Sequence, residues 1–434
     1  CYALHVVDSN FVSNLLDENG GAIGIILENK EPSNPIEITG CTFTSNIATD
    51  SNVTDEENGG AIYYVDKASS SSNNYLFSIV DSKFSNNQVT FYGGSIYIEI
   101  TNNEPSYLIE ISRCSFENGV AGKHGGFIYY KFNPSSSATS TPSTTYNLYI
   151  NDCEFTGIDG NLSSQNGGSI SILIPDKEPS KPIEIRNCTF TYYQCSISAG
   201  AISYLNNATT STSTDYSFNI IDCKFSGNKA MKGGAIFIET YNAEPSSRIK
   251  INGCSFDKNS AEYNENALGA SIYCDFLGST TKASKSLLED SPVLLSVTSC
   301  NFSENSSPIT YDIYINTDAN EKAITIDFTK CTFKDSTPEG MYLSSYSEST
   351  FYHINDCDFM TTFNIYFSND IASGKVENCR FNDMKNTPIT YFSDKVQSVS
   401  PDHELRIENC VFVQESEIES IVYFKSPLSS QFYF

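Results

Sequence analysis

Positive charge is scarce in this chain. Its 434 residues hold 26 lysines and arginines against 52 aspartates and glutamates, a net charge of −26. Such a surface is a poor match for nucleic acid or an anionic membrane; cations, basic proteins and neutral glycans suit it better. Long apolar runs are missing, so no transmembrane segment is expected. Histidine is rare: His5, His124, His353 and His403 are scattered without metal-ligand spacing. No Ser-His-Asp constellation and no phosphate-binding glycine loop is present. No signal peptide is visible, and the chain opens at Cys1 rather than Met, which reads as a processed chain or a piece of a longer one.

What the chain has is a repeat. Cys-x-Phe begins at Cys41, Cys114, Cys153, Cys188, Cys223, Cys254, Cys300, Cys331, Cys357, Cys379 and Cys410, and Ser9 and Ser82 fill the same slot in two further units. The thirteen units lie 22 to 46 residues apart, a period that means a solenoid. Each unit reads as three short strands. The first is a period-2 run such as Ile36-Glu37-Ile38, followed by turn formers. The second is Cys-x-Phe, with Cys and Phe on one face and a polar residue between them in all but Val411. Six units extend to Phe-x-x-Asn, at Asn14, Asn46, Asn87, Asn228, Asn259 and Asn305. The third strand opens on a glycine pair, as in Gly20-Gly21-Ala22-Ile23, Gly59-Gly60-Ala61-Ile62 and Gly93-Gly94-Ser95-Ile96, which suits a tight corner. The expected fold is all-β: a single-stranded parallel β-helix, a right-handed solenoid of about 13 coils and roughly 60 Å. Residues 1–305 read as regular coils, and 306–434 as a continuation of the same β-helix with degenerate, shorter coils that lose the glycine pair.

Gly-Gly-Ala-Ile paired with Phe-x-x-Asn resembles the repeat of chlamydial polymorphic outer membrane proteins, over residues 1 to about 305. The resemblance implies a surface-exposed autotransporter passenger that binds host cells; similar repeats occur in surface proteins of some protists. Unlike that family, this chain has no C-terminal membrane barrel in its sequence, and Ser/Thr-rich stretches punctuate it.

A second period is two coils long. Loops after the third strand alternate between short ones with Glu-Pro-Ser (Glu31, Glu104, Glu178, Glu244) and long Ser/Thr-rich ones (68–74, 133–146, 206–216, 278–292). Outward residues of the first strand alternate as well: Glu37, Ser78, Glu110, Tyr149, Glu184, Asn219. Interleaving keeps carboxylates from stacking on adjacent coils. The edge carrying the long loops, or the face beside it, is the expected binding surface.

The slot cysteines admit two readings, disulfides between adjacent coils or a reduced column of small buried residues. Cys41, flanked by Ser9 and Ser82, has no ladder partner. Cys1, Cys195 and Cys274 lie off the ladder and are expected to be exposed or cross-linked. Acids precede the first two glycine pairs at Asp17, Glu18, Glu56 and Glu57. They read as solvated corner residues, a Ca²⁺ site or an acid/base pair. No other cofactor is expected. Six sequons, at Asn52, Asn161, Asn187, Asn207, Asn301 and Asn305, permit glycosylation. The sequence thus points to a non-enzymatic extracellular or cell-surface protein, an adhesin or structural fibre. Its partners would be surface proteins, glycans or further copies of itself joined end to end. A polysaccharide lyase or hydrolase is the alternative.

Overall fold

The computed structural model describes residues 3–17, 19–49, 57–69, 76–105, 107–134, 145–157, 167–208, 216–241, 248–262, 267–277, 292–318, 324–345, 350–368, 373–392, 405–413 and 420–425. Among them no helix occurs and every strand pairing is parallel. The chain is a parallel β-helix of thirteen coils, numbered here by slot residue from Ser9 (coil 1) to Cys410 (coil 13). First strands run from Leu4–Val7 to Leu405–Glu408, second strands from Asn10–Val12 to Val411–Val413, and third strands from Ile23–Leu27 to Val422–Lys425; each set stacks in order. Two-residue strands such as Leu15–Leu16 and Ile47–Ala48 add short extra pairings in some coils.

The corners follow from backbone chemistry. The residue before the slot has positive φ in all thirteen coils, and only Gly40 and Gly253 are glycine there. Five are Asp and three Asn, the residues that best tolerate the left-handed region. That bend leaves an amide and a carbonyl in want of partners, and the slot side chain supplies them. Its thiol or hydroxyl donates to the carbonyl two residues back, as in Ser82 Oγ to Val80 O (2.9 Å) and Cys153 Sγ to Asn151 O (3.3 Å). It also accepts the slot amide of the preceding coil: Cys41 N–H to Ser82 Oγ is 3.1 Å, and Cys114 N–H to Cys153 Sγ is 3.5 Å. Serine and cysteine interchange because both do this work. All described slot cysteines are free thiols.

The slot Phe rings form one column from Phe11 to Phe412, with successive centroids 4.7–5.0 Å apart. Each buried ring contributes about 1.5–3 kcal/mol of transfer free energy. Beside it run two asparagine ladders. Asn46 Nδ2 donates to Phe11 O (3.0 Å) and Asn87 Oδ1 (2.9 Å), and Asn228, Asn259 and Asn305 repeat the pattern. Coils 4 to 6 lack the asparagine. There Tyr193 reaches two coils back, its hydroxyl donating to Gly119 O, and its ring occupies space that side chains at Gly126 and Gly157 would need.

At the third corner the two glycines have separate jobs. The first of each pair, such as Gly93, has positive φ. The second lies against the next coil: a Cβ on Gly94 would overlap the Gly126 carbonyl. In coil 9 the pair disappears. Ser306–Asp318 runs as one strand, and Asp312 stands where Ser271 stands in coil 8. Its buried carboxylate accepts from Ser271 N (3.1 Å), Ser271 Oγ, Ser336 Oγ (2.6 Å) and Asn305 Nδ2 (3.2 Å), closing the second ladder. Burial pushes Asp312 up to about 6, against the pull of these donors.

The off-ladder cysteines depart from expectation. Cys195 and Cys274 are wholly buried and free: Cys195 Sγ donates to Ser198 O (3.3 Å), and Cys274 packs among third-strand core residues. Their inward positions follow from the coil register, which the slot pattern does not show. Cys1 lies outside the described residues.

Candidate interaction face

On the third sheet, outward side chains form a row of stacked rings. Tyr63, Tyr97 and Tyr129 stack with centroids 5.2 and 5.5 Å apart. Ser171 and Ser203 interrupt the row, and Phe237, Tyr273, Tyr314, Tyr342 and Tyr366 resume it at 5.1, 5.2, 5.0 and 5.4 Å. Coil register produces this, since residues two positions into the third strand are Cα partners from coil to coil. Tyr97 and Tyr129 are almost fully buried, whereas Tyr314, Tyr342 and Tyr366 are half-buried. Pre-corner residues flank the rings: Tyr92 stacks on Tyr129 (4.8 Å) and on His124 (5.3 Å). Lys123 Nζ lies 4.2 Å from the Phe91 centroid and Lys232 Nζ 5.0 Å from that of Tyr273. Burial pulls His124 down to about 4, so its imidazole is neutral at pH 7.

The adjacent outward row carries carboxylates. Glu99 accepts from Tyr97 OH (2.8 Å) and pairs with Lys131 (2.7 Å). Glu239 and Asp275 are neighbours in register, and Asn316 Nδ2 donates to Asp275 Oδ1 (2.9 Å). Tyr241 lies beyond Glu239, 42% exposed; its bond to that carboxylate pushes its hydroxyl up to about 12. Ring edges, hydroxyls and acceptor oxygens thus lie in regular rows on this face.

The first sheet is charged on its outer side. The alternation at Glu37, Ser78, Glu110, Tyr149, Glu184 and Asn219 is one row in register. Farther along, His353 places Nδ1 2.8 Å from Asp327 Oδ1 and Nε2 2.9 Å from Glu377 Oε1; these carboxylates, Asp327 foremost, hold it above its usual value.

Of the acidic corner, Asp17 is exposed and Glu57 buried, while Glu18 and Glu56 lie outside the described residues. Among the described residues no group of three His, Cys, Asp or Glu is placed to hold a metal. The sequons differ in access. Asn187 is exposed at a corner, Asn301 is exposed on the second sheet, and Asn207 is half-buried. Asn305 is wholly buried with its Nδ2 committed to Phe256 O (3.1 Å) and Asp312, which leaves no room for a glycan in the folded coil. Asn52 and Asn161 lie outside the described residues, as do most of the long loops.

The Glu-Pro-Ser glutamates look like surface residues in the sequence, yet Glu31, Glu104 and Glu178 are buried. Glu104 Oε1 accepts the amide of Ser180, two coils on, at 2.5 Å. Burial pushes Glu104 up. The core records the same alternation: Ile98, Tyr130, Ile172, Tyr204 and Ile238 occupy one inward third-strand position in successive coils. The sequence signal for this was available, since Tyr and Ile alternate at a fixed distance after the glycine pair.

Residues 40–64 and 222–239 match the family model described as the Chlamydia polymorphic membrane protein (Chlamydia_PMP) repeat. Each match takes in a glycine pair with its Ala-Ile, and the slot motif before it. No curated protein matches the chain. Among solved structures, the Streptococcus pneumoniae surface protein and adhesin PfbA aligns over 98% of this chain and 91% of its own at 9% identity and a TM-score of 0.32, a likeness too loose to argue from.

Proposed function

We propose that this chain is a non-enzymatic, cell-surface β-helix of the adhesin kind, which binds protein or glycan ligands along the third sheet and the loop edge beside it. The observation that carries the reading is the row of half-buried rings at Tyr314, Tyr342 and Tyr366, continuing past the carboxylates of Glu239 and Asp275. Tyrosine gives large contact area with a polar tip at low entropic cost. The repeat type supports a surface location. A host-cell and glycan binding screen tests it. Tyr342→Ser and Tyr366→Ser together are expected to lower binding at least tenfold without lowering thermal stability by more than a few degrees, while Ser115→Ala on the second sheet leaves binding unchanged. Undiminished binding in the double variant would refute this assignment of the face.

End-to-end contact between copies is a second reading. The inward residues Val6, Phe11 and Ile23 of coil 1, and Ile407, Phe412 and Val422 of coil 13, are half-buried where their partners in the adjoining coil are wholly buried, as a surface covered by a further coil would be. Electron microscopy of purified protein decides it: strictly single short rods rule the contact out.

A further inference from the structure

On the outer side of the first sheet, the last four coils carry a chain of alternating charge. His353 Nδ1 lies 2.8 Å from Asp327 Oδ1, and Nε2 lies 2.9 Å from Glu377 Oε1. Lys375 Nζ continues the chain, 3.0 Å from Glu377 Oε2 and 3.2 Å from Glu408 Oε2. A side-chain link therefore crosses every junction from coil 10 to coil 13. These coils have neither the glycine pair nor the asparagine ladder, which ends at Asn305 and Asp312. Both partners of the imidazole are carboxylates, which accept and do not donate. Two ring hydrogens are needed to meet both, and a neutral imidazole has one. Losing the proton turns a nitrogen lone pair toward a carboxylate oxygen. Between coils 3 and 4 the matching link is an arginine, which does not titrate: Arg113 Nε and Nη2 donate to Asp81 Oδ1 (2.7 Å) and Oδ2 (3.0 Å). We infer that His353 is a pH-operated pin across coils 10, 11 and 12, set while its ring carries both hydrogens and withdrawn when it loses one.

The groups facing the ring come from three coils. Coil 10 supplies Asp327, which also accepts from Thr329 Oγ1 (3.1 Å). Coil 12 supplies Glu377 and Lys375, the second being the Cα partner of His353. Phe351, on the same strand as His353, lies with its ring centroid 6.5 Å away. Beyond Lys375, coil 13 adds Arg406 in register and Glu408. The side chains of His353, Asp327 and Glu377 are 26%, 17% and 19% exposed, so solvent screens their pairing less than it would on an open surface. The bond to Asp327, then that to Glu377, raises the ring above its ordinary value against the pull of burial. Glu377 is held down in turn by His353 and Lys375. The pin bears on defined backbone bonds: Lys330 N–H donates to Asn355 O (3.0 Å) and Asp356 N–H to Glu377 O (3.1 Å).

The sign follows from proton uptake. The folded ring keeps its proton to higher pH than the unfolded one. The pin is therefore fully set below about pH 6.5 and is lost as pH rises through the folded value. The test is amide hydrogen exchange at Lys330 and Asp356 in the full chain at pH 6 and pH 8.5, corrected for intrinsic rates. Opening is expected to be about fivefold or more commoner at pH 8.5. Asp81, whose N–H donates to Ser112 O (3.1 Å) across the arginine-linked junction, should show no such step. His353→Lys keeps a cation at both pH values and should exchange slowly at both, whereas His353→Gln should exchange fast at both. Flat exchange in the wild type, or a step that survives both substitutions, overturns the pin. Circular dichroism checks that the variants fold. If one does not, the wild-type ring decides: an NMR titration that places His353 at or below about 6.5 also overturns the pin. Ligand binding enters none of these readouts.

Discussion

At the slot, hydrogen bonding rather than sulfur chemistry explains the choice of residue. Every slot side chain must donate to a nearby carbonyl and offer an acceptor to the slot of the preceding coil, as Ser82 and Cys153 do. Cys153→Ser is therefore expected to cost under about 1 kcal/mol, whereas Cys153→Ala strands the Cys114 amide and costs about 1–3 kcal/mol in denaturant unfolding. Equal losses would contradict the role given to the slot. Burial, and then the neighbouring thiols, push Cys188, Cys254 and Cys300 well up, so these three stay protonated and inert until the coil opens. Asp312 makes a second case at this scale. Its folded value lies above the unfolded one, so its contribution is fully present below about pH 4 and lost as pH rises through about 6. Asp312→Asn should flatten that part of the melting-temperature profile, and an unchanged profile would show that Asp312 does not titrate there.

Among elements, the glycine corner constrains the coil most tightly. A methyl at Gly94 would meet the backbone of the next coil, while one at Gly24 finds its nearest atom 3.9 Å away. Gly94→Ala should cost about 3 kcal/mol and Gly24→Ala very little, measured side by side by thermal unfolding. The sequence made these corners legible because glycine fills most of them, Ala199 in coil 6 and Ala270 in coil 8 being departures. The third strand was less legible. Ile96-Tyr97-Ile98 reads as apolar on both faces, so periodicity alone does not reveal that Tyr97 points outward into a ring column. The burial of Glu31, Glu104 and Glu178 was not legible for a related reason: charge alone signals surface. Asp312 was hidden inside a long strand in which no glycine pair marks the corner.

For the whole molecule, the two-coil period turns out to be a mechanical fact as well as a sequence pattern. In an ordinary solenoid each repeat touches only its neighbours, and stability is a sum of nearest-neighbour terms. Here Glu104 bonds to Ser180 across an intervening coil, and Tyr193 reaches Gly119 in the same way. Removing residues 36–107, two coils, leaves the order of short and long loops intact, while removing 36–75, one coil, sets two short-loop coils against each other. The shorter product of the first deletion should melt higher than the longer product of the second. Parity, in other words, is conserved: such a rod can be lengthened or trimmed by gene duplication only in even steps, and under a pulling force it should yield two coils at a time.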